Sequence, residues 1–157
     1  MFSVLDVAKW FLSKQSMEHK KLQKLCYYAQ AWHCALEDKP LFHEIFEAWV
    51  HGPVCPVLYH QYKHYGWRYI PKATMHEATM HENIFPENSL QILQAVWNTY
   101  GGFNGMQLET LTHSEPVWQN ARGELFPDFP MATCTNPIST DDMKHYYSEL
   151  YEKSQND

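Results

Sequence analysis

Apolar side chains recur every three or four residues along most of the chain, which is the spacing of one buried helix face. Ser3 with Asp6 makes a capping box at the start of one such stretch. Ser16 predicts the beginning of a second, longer helix that closes at Lys39-Pro40. The remaining predicted helices begin at residues that commonly cap helices, namely Ser89 or Asn88, Asn104, Ser114 and Ser139.

Two short runs of aromatic and β-branched residues interrupt the helical pattern. Residues 45–50 and 67–70 are predicted to be extended and to pair with each other as a small antiparallel β element. Between them, Gly52 permits a sharp backbone turn, and Pro53 suits the first turn of a new helix. Pro56 follows close behind, so we predict a helix that starts at this Gly-Pro corner.

The stretch at residues 71–88 contains the sequence ATMHE twice in succession, at 73–77 and 78–82. A five-residue period fits neither a helix nor a strand, so we predict an inserted loop. A last helix with a polar tail is predicted for residues 139–157. The whole pattern predicts a single compact domain over residues 1–157 that is mainly α, with a small antiparallel β element.

The composition is that of a globular protein, with 45% hydrophobic and 19% charged residues among 157. Aromatic residues reach 15%, and such side chains dominate the energetics of cores and of interfaces. The net charge of −6 argues against broad binding of nucleic acid, which requires Lys and Arg to neutralise phosphates. The basic cluster around Lys20, Lys21 and Lys24, with His19, is interpreted as a solvated helix face.

Nothing in the sequence predicts a membrane partner or an oxidising compartment. The first fourteen residues are too short and too amphipathic for a signal peptide, and no stretch is long enough to span a bilayer. The cysteines have no CxxC spacing, so we expect reduced thiols and a cytoplasmic location. They are Cys26, Cys34, Cys55 and Cys134.

The histidines do not follow the spacing of a metal site. His76 and His81 lie five residues apart, whereas a helical zinc pair needs a separation of four so that both imidazoles share one face. His60 and His64 have that separation, but no third ligand lies near them in the sequence. We therefore expect neither a metal nor another cofactor.

Catalytic motifs are equally weak. Cys26 or Cys34 could pair with His33, but both thiols lie on or near an apolar helix stripe, where cysteine behaves as a small hydrophobe. His113 with Glu115 is the one pair that a small hydrolase could use. We expect no catalytic residues and no enzyme activity, with a hydrolase and a DNA-binding autorepressor as the alternatives.

The segment LTHSEPVWQNAR, residues 111–122, combines a helix boundary with several polar and aromatic groups. Trp118 and Arg122 are four residues apart, so the guanidinium could lie over the indole on one helix face. The segment is either a capped helix that packs Trp118 into the core or a polar anchor that fixes a binding face.

The segment KLQKLCYYAQAWHCALEDKPLFHEIFEAWVHGPVCPVLYHQYKHYG, residues 21–66, closely resembles the signature of the Panacea domain, found in SocA-like antitoxins and phage-associated proteins. Residues 111–122 resemble the second motif of that family, and the resemblance covers about residues 3–123. Asp38-Lys39 and the position of Pro116 depart from the family pattern.

The resemblance implies an antitoxin of a two-gene toxin–antitoxin system, often borne by a phage or prophage. Its partner would be a cognate toxin protein from the adjacent gene, neutralised by direct contact; some members also deliver the toxin to a cellular protease. We expect no membrane or nucleic-acid partner. The predicted toxin-binding residues are Trp49, His51, Gly52, Pro53, Tyr59 and Tyr62 at the corner, and His113, Glu115, Trp118 and Arg122 in the second motif.

Overall fold

The computed structural model describes residues 2–156, without the side chains of His81 and Asn83, so the outermost residues of the predicted domain lie outside it. Within that range the chain is mainly helical with one three-stranded antiparallel sheet, which confirms the predicted fold class. The elements in chain order are α1 (Val4–Leu12), α2 (His19–Glu37), β1 (Phe46–Trp49), β2 (Gly52–Val54), α3 (Pro56–Tyr62), α4 (Met75–Asn83), α5 (Glu87–Tyr100), α6 (Gly105–His113), α7 (Pro116–Ala121), β3 (Pro137–Ile138) and α8 (Thr140–Asn156).

Three of the six helix starts predicted from cap residues are confirmed, those of α1, α6 and α8. The Ser3–Asp6 capping box at α1 is present, and Asn104 with Gln107 forms another at α6. The start of α2 differs from the prediction, because Glu18 is its N-cap while the Ser16 hydroxyl donates to the carbonyl of Ile70. The predicted caps of α5 and α7 are also wrong, since Pro86 and Glu115 are the N-caps in place of Ser89 or Asn88 and of Ser114.

The sheet has the strand order β2-β1-β3 and differs from the predicted pairing. The extended run at 45–50 is confirmed as β1, but residues 67–70 are not its partner. Ile70 instead forms an isolated bridge with Met17, and Trp67 is 94% exposed. The strand next to β1 is β2, joined by a two-residue turn because Trp49 pairs with Gly52.

The Gly-Pro corner is therefore the start of a strand and not of a helix. Gly52 has φ +103°, a conformation that side-chain-bearing residues rarely adopt, and it turns the chain back along β1. Pro53 lies on the edge strand, where its missing N–H removes no interior ladder bond. Helix α3 begins at Pro56, so the prediction that the Gly-Pro step starts a helix is wrong by one turn.

The predicted loop at residues 71–88 contains helix α4, so the loop assignment is wrong for its central part. The Thr74 side chain accepts a hydrogen bond from the amide of Glu77 and caps the helix. Ala, Met and Glu are good helix formers, which outweighs the lack of a regular apolar stripe. Met75 and Met80 are largely exposed, so α4 buries little apolar surface.

Helix α2 is the centre of the core. Fourteen of its nineteen residues are buried, so it is enclosed on nearly all sides and not along one stripe as its apolar spacing predicts. Lys21 and Lys24 are 7% and 1% exposed, which contradicts the interpretation of this cluster as a solvated face. The burial follows from packing against α1, α5, α6 and α8, which surround the helix.

Candidate functional site

A half-exposed group of rings lies where the β1–β2 turn meets α3. The rings of Trp49 and Tyr59 are 5.2 Å apart between centroids, and Tyr59 stacks on His19 of α2 at 5.5 Å. The Trp49 indole N–H donates to Glu47 at 2.8 Å, while His51 is exposed at the turn. We call Trp49, His51 and Tyr59 the corner surface.

One carboxylate joins the corner surface to α2 and α6. Glu109 Oε1 lies 2.8 Å from the Lys20 ammonium and 3.2 Å from His51 Nδ1. Burial raises the pKa of Glu109, but Lys20 and His51 outweigh that effect and hold the pKa below its usual value. The carboxylate is therefore ionised near neutral pH and fixes the position of the turn.

A buried lysine lies directly beneath Gly52. The Lys24 ammonium donates to the carbonyl of Pro53 at 3.1 Å. A Cβ on Gly52 would lie 2.8 Å from Lys24 Cε and 2.8 Å from the Thr112 hydroxyl, so the turn fits closely against α2 and α6. Burial lowers the pKa of Lys24 to about 7, and the nearby Glu109 opposes this shift only in part.

Replacement of Lys24 by methionine is expected to change how stability depends on pH. The folded pKa is about 7 against an ordinary value of 10.5, so between these values the unfolded chain binds more protons. The free energy of unfolding of the wild type should therefore gain a positive contribution as the pH rises from 7 to 8.5, and Lys24→Met should lose it. Urea denaturation at both pH values measures the difference, with the exposed Lys39→Met as control. If Lys24→Met keeps the wild-type dependence of stability on pH, the assignment to Lys24 is wrong.

The second motif packs against the back of the same turn. The Trp118 indole N–H donates to the carbonyl of Trp49 at 2.9 Å, and the ring stacks on His113 at 4.1 Å. Arg122 lies 5.0 Å above the Trp118 ring and donates to the carbonyl of Ala48 at 3.0 Å. The predicted guanidinium–indole contact is present, and it holds β1 to α7.

Glu115 is buried on the other side of α7, away from the corner. Its carboxylate accepts hydrogen bonds from the hydroxyls of Tyr28 and Tyr147 at 2.8 and 3.0 Å. Burial raises the pKa of Glu115, and the two hydroxyl donors reduce that rise. This carboxylate joins α2, α7 and α8 inside the core.

The structure brings most of the predicted residues together but exposes few of them. Trp49 and Tyr59 are half-buried and His51 is exposed, whereas six of the others are buried. Those six are Gly52, Pro53, Tyr62, Glu115, Trp118 and Arg122. His113 is half-buried, and its Nε2 has no hydrogen-bond partner within the described residues.

Sequence reasoning missed Lys24 and Glu109 as parts of this region. Four of the five residues before Lys24 are polar, namely His19, Lys20, Lys21 and Gln23. The local pattern therefore does not indicate that Lys24 is buried. The sequence held one indirect signal for a nearby carboxylate such as Glu109. Lys20 and Lys24 are one helical turn apart, and two like charges at that spacing repel each other unless a carboxylate lies close to them.

The residues considered for catalysis make other contacts in the structure. The His113 ring stacks on Trp118, while the carboxylate of Glu115 is held by two tyrosines. Burial raises the pKa of the Cys26 and Cys34 thiols, which disfavours the thiolate that a nucleophile requires. Among residues 2–156, leaving out the two side chains named above, no group of three or more His, Cys, Asp or Glu could hold a metal ion.

The family model described as antitoxin SocA-like, Panacea domain, matches residues 22–119. This chain belongs to that family. The match contains the whole corner surface and also Lys24 and Glu109, while α1 and α8 lie outside it. No curated protein and no solved structure matches the chain. Membership of the Panacea family supports an antitoxin-type role with a toxin as the general class of partner.

In the part of the chain that the structure describes, no helix is long and apolar enough to cross a membrane.

Proposed function

We propose that this Panacea protein neutralises a cognate toxin protein, encoded by the neighbouring gene, by direct contact at the corner surface. The observation that carries the proposal is the half-exposed pair Trp49–Tyr59, whose rings are fixed in place before any partner binds. Rigid aromatic side chains make interface anchors at low entropic cost. Delivery of the toxin to a cellular protease would use the same contact.

The rigidity of the corner supports this function. The turn is held from below by the Lys24 bond to Pro53 and from behind by the Trp118 bond to Trp49. The exposed His51 is also restrained, because it shares the Glu109 carboxylate with Lys20. A surface that is already ordered loses little conformational entropy on binding, which favours tight complexes.

The alternative of a DNA-binding autorepressor has less support. It would need a basic recognition helix, and the N-terminal part of α2 is the candidate. Lys21 donates to the carbonyl of Gly101 at 2.6 Å, and Lys24 donates to Pro53. Both ammonium groups are thus engaged inside the protein, and the half-buried Lys20 of the same turn pairs with the Glu109 carboxylate at 2.8 Å.

Tyr59→Ala should weaken binding of the toxin by about 1–2 kcal/mol or more, as truncation of an interface aromatic does. Loss of the ring contacts with Trp49 and His19 should also lower the stability of the free protein by about 1 kcal/mol. Calorimetric titration with the protein encoded by the neighbouring gene measures binding, and thermal melting measures stability.

Tyr151→Ala on α8 is the matched control, because this tyrosine is exposed and lies outside the matched family segment. It should bind the toxin like the wild type. Equal affinity of Tyr59→Ala and wild type would show that the toxin contacts another surface. A wild-type protein that does not bind the neighbouring gene product would overturn the proposed function itself.

A further inference from the structure

The segment that follows α7 carries exposed apolar side chains next to the corner surface. Residues 123–136, which we call the acidic loop, connect α7 to β3 and lie outside the matched family segment. Phe126, Phe129 and Met131 are 37%, 60% and 73% exposed. Exposed apolar side chains that cluster within a short segment mark an interaction site more often than single ones do.

The acidic loop is held in a fixed conformation despite its exposure. Arg122 donates to the carbonyl of Ala132 at 2.6 Å, and the Asn136 amide donates to the carbonyl of Ala121 at 3.1 Å. The backbone amide of Phe129 donates to Leu125 at 2.8 Å. These bonds order the loop before any partner arrives.

An apolar groove separates the acidic loop from the β1–β2 turn. Its volume is about 390 Å³, which is enough to take a large apolar side chain. The groove is lined by Trp49, Val50, His51 and Val54 on one side and by Thr133–Thr135 on the other. It therefore continues the corner surface into a part of the chain that the family match does not include.

The acidic loop, which borders the groove, carries negative charge. From residue 123 to residue 143 the sequence has four acidic residues and no Lys, Arg or His. Within the described residues, Glu124 and Asp128 form no salt bridge. Glu47 adds a carboxylate beside Trp49, and the nearby His51 faces Glu109. The groove is thus bordered on one side by a loop with two carboxylates that form no salt bridge among the described residues, which we call its acidic rim.

We propose that the acidic loop and its groove bind a basic segment of the toxin that carries one large apolar side chain. The apolar side chain fills the groove, and flanking Lys or Arg residues pair with Glu124 and Asp128. This inference rests on the proposed function and specifies the chemistry of the partner. Because the loop lies outside the family match, it would also determine which toxin this chain accepts.

The same charges disfavour other occupants. A second copy of this chain carries the same net charge of −6 and would bring two acidic loops together. Nucleic acid would place phosphates against Glu124 and Asp128, which is repulsive. A basic protein segment is complementary both to the groove and to its rim.

The double variant Glu124→Lys/Asp128→Lys tests the inference. Wild-type affinity for the protein encoded by the neighbouring gene should fall as NaCl is raised from 50 to 500 mM, because salt screens charge pairs at the rim. The double variant should bind at least tenfold more weakly at low salt, with a much smaller salt dependence. Phe129→Ser should also weaken binding but keep the salt dependence, which separates the apolar contribution from the charged one.

Glu149→Lys/Glu152→Lys on α8 is the matched control, since it makes the same change of net charge at exposed positions. It should bind within twofold of the wild type. If the loop variant and this control bind alike, the acidic loop is not the contact, and the inference fails while the proposed function stands. If the wild type does not bind the neighbouring gene product, both fail. Self-association of the wild type that the loop variant abolishes would identify a second copy as the occupant and overturn the inference.

Discussion

Gly52→Val is expected to lower the free energy of unfolding more than any other single change at the corner. Backbone strain at φ +103° should cost about 1–3 kcal/mol. The new side chain would also meet Lys24 Cε and the Thr112 hydroxyl at 2.8 Å, which adds about 1–3 kcal/mol of overpacking. Since domains of this kind are stable by roughly 5–15 kcal/mol, the variant should lose a large fraction of the free energy of unfolding. Urea denaturation of the purified variant measures the change.

Gly66→Ala separates the two contributions. Gly66 also has positive φ, at +58°, but a Cβ there would meet nothing within 4 Å. This control should cost about 1–3 kcal/mol of backbone strain without any clash, because its φ of +58° and ψ of −121° form a conformation that glycine adopts far more readily than alanine. If Gly52→Val is no more destabilising than Gly66→Ala, the close fit of the turn on Lys24 does not matter for stability.

Arg122→Ala should lower the free energy of unfolding by a similar amount, about 3–6 kcal/mol, because it removes two hydrogen bonds of a charged donor. Arg122 is 1% exposed and donates to the carbonyls of Ala48 and Ala132, so its removal leaves both without their donor. The loss should release the acidic loop from β1. Chymotrypsin should then cleave after Leu125 or Met131 faster than in the wild type, since Phe126 and Phe129 are each followed by a proline that blocks cleavage.

Arg68→Ala is the matched control for Arg122. Its guanidinium also donates to two backbone carbonyls, those of His64 and Tyr65, but in an exposed position. Its removal should change stability by no more than about 0.5 kcal/mol. Cleavage of the acidic loop at the wild-type rate in Arg122→Ala would show that Arg122 does not hold the loop in place.

The helices were predictable because their signals are local. A capping box such as Ser3 with Asp6 and the spacing of apolar residues both act within one or two turns. The sheet was less predictable, since β3 contains only two residues and is defined by its partner β1. The pairing of residues 67–70 was wrong for the same reason, because β pairing depends on contacts distant in sequence.

The sequence indicated which residues form the candidate site, but not which of them are buried. The sequence placed Trp49, Tyr59 and Trp118 in one functional region, and the structure brings them together at the β1–β2 turn. It could not indicate that Trp118 is buried while Trp49 is half-exposed. The exposure of an aromatic side chain depends on the helices and strands packed over it, and these come from distant parts of the chain.

The enclosure of α2 has a consequence for amide hydrogen exchange. Because α1, α5, α6 and α8 all cover this helix, its amides should exchange only when the whole chain unfolds. Helix α4, which is covered on one side by α1 and is largely exposed, should exchange through local opening. A partner bound at the β1–β2 turn would then slow exchange throughout α2, even at residues far from the contact, while leaving α4 unchanged.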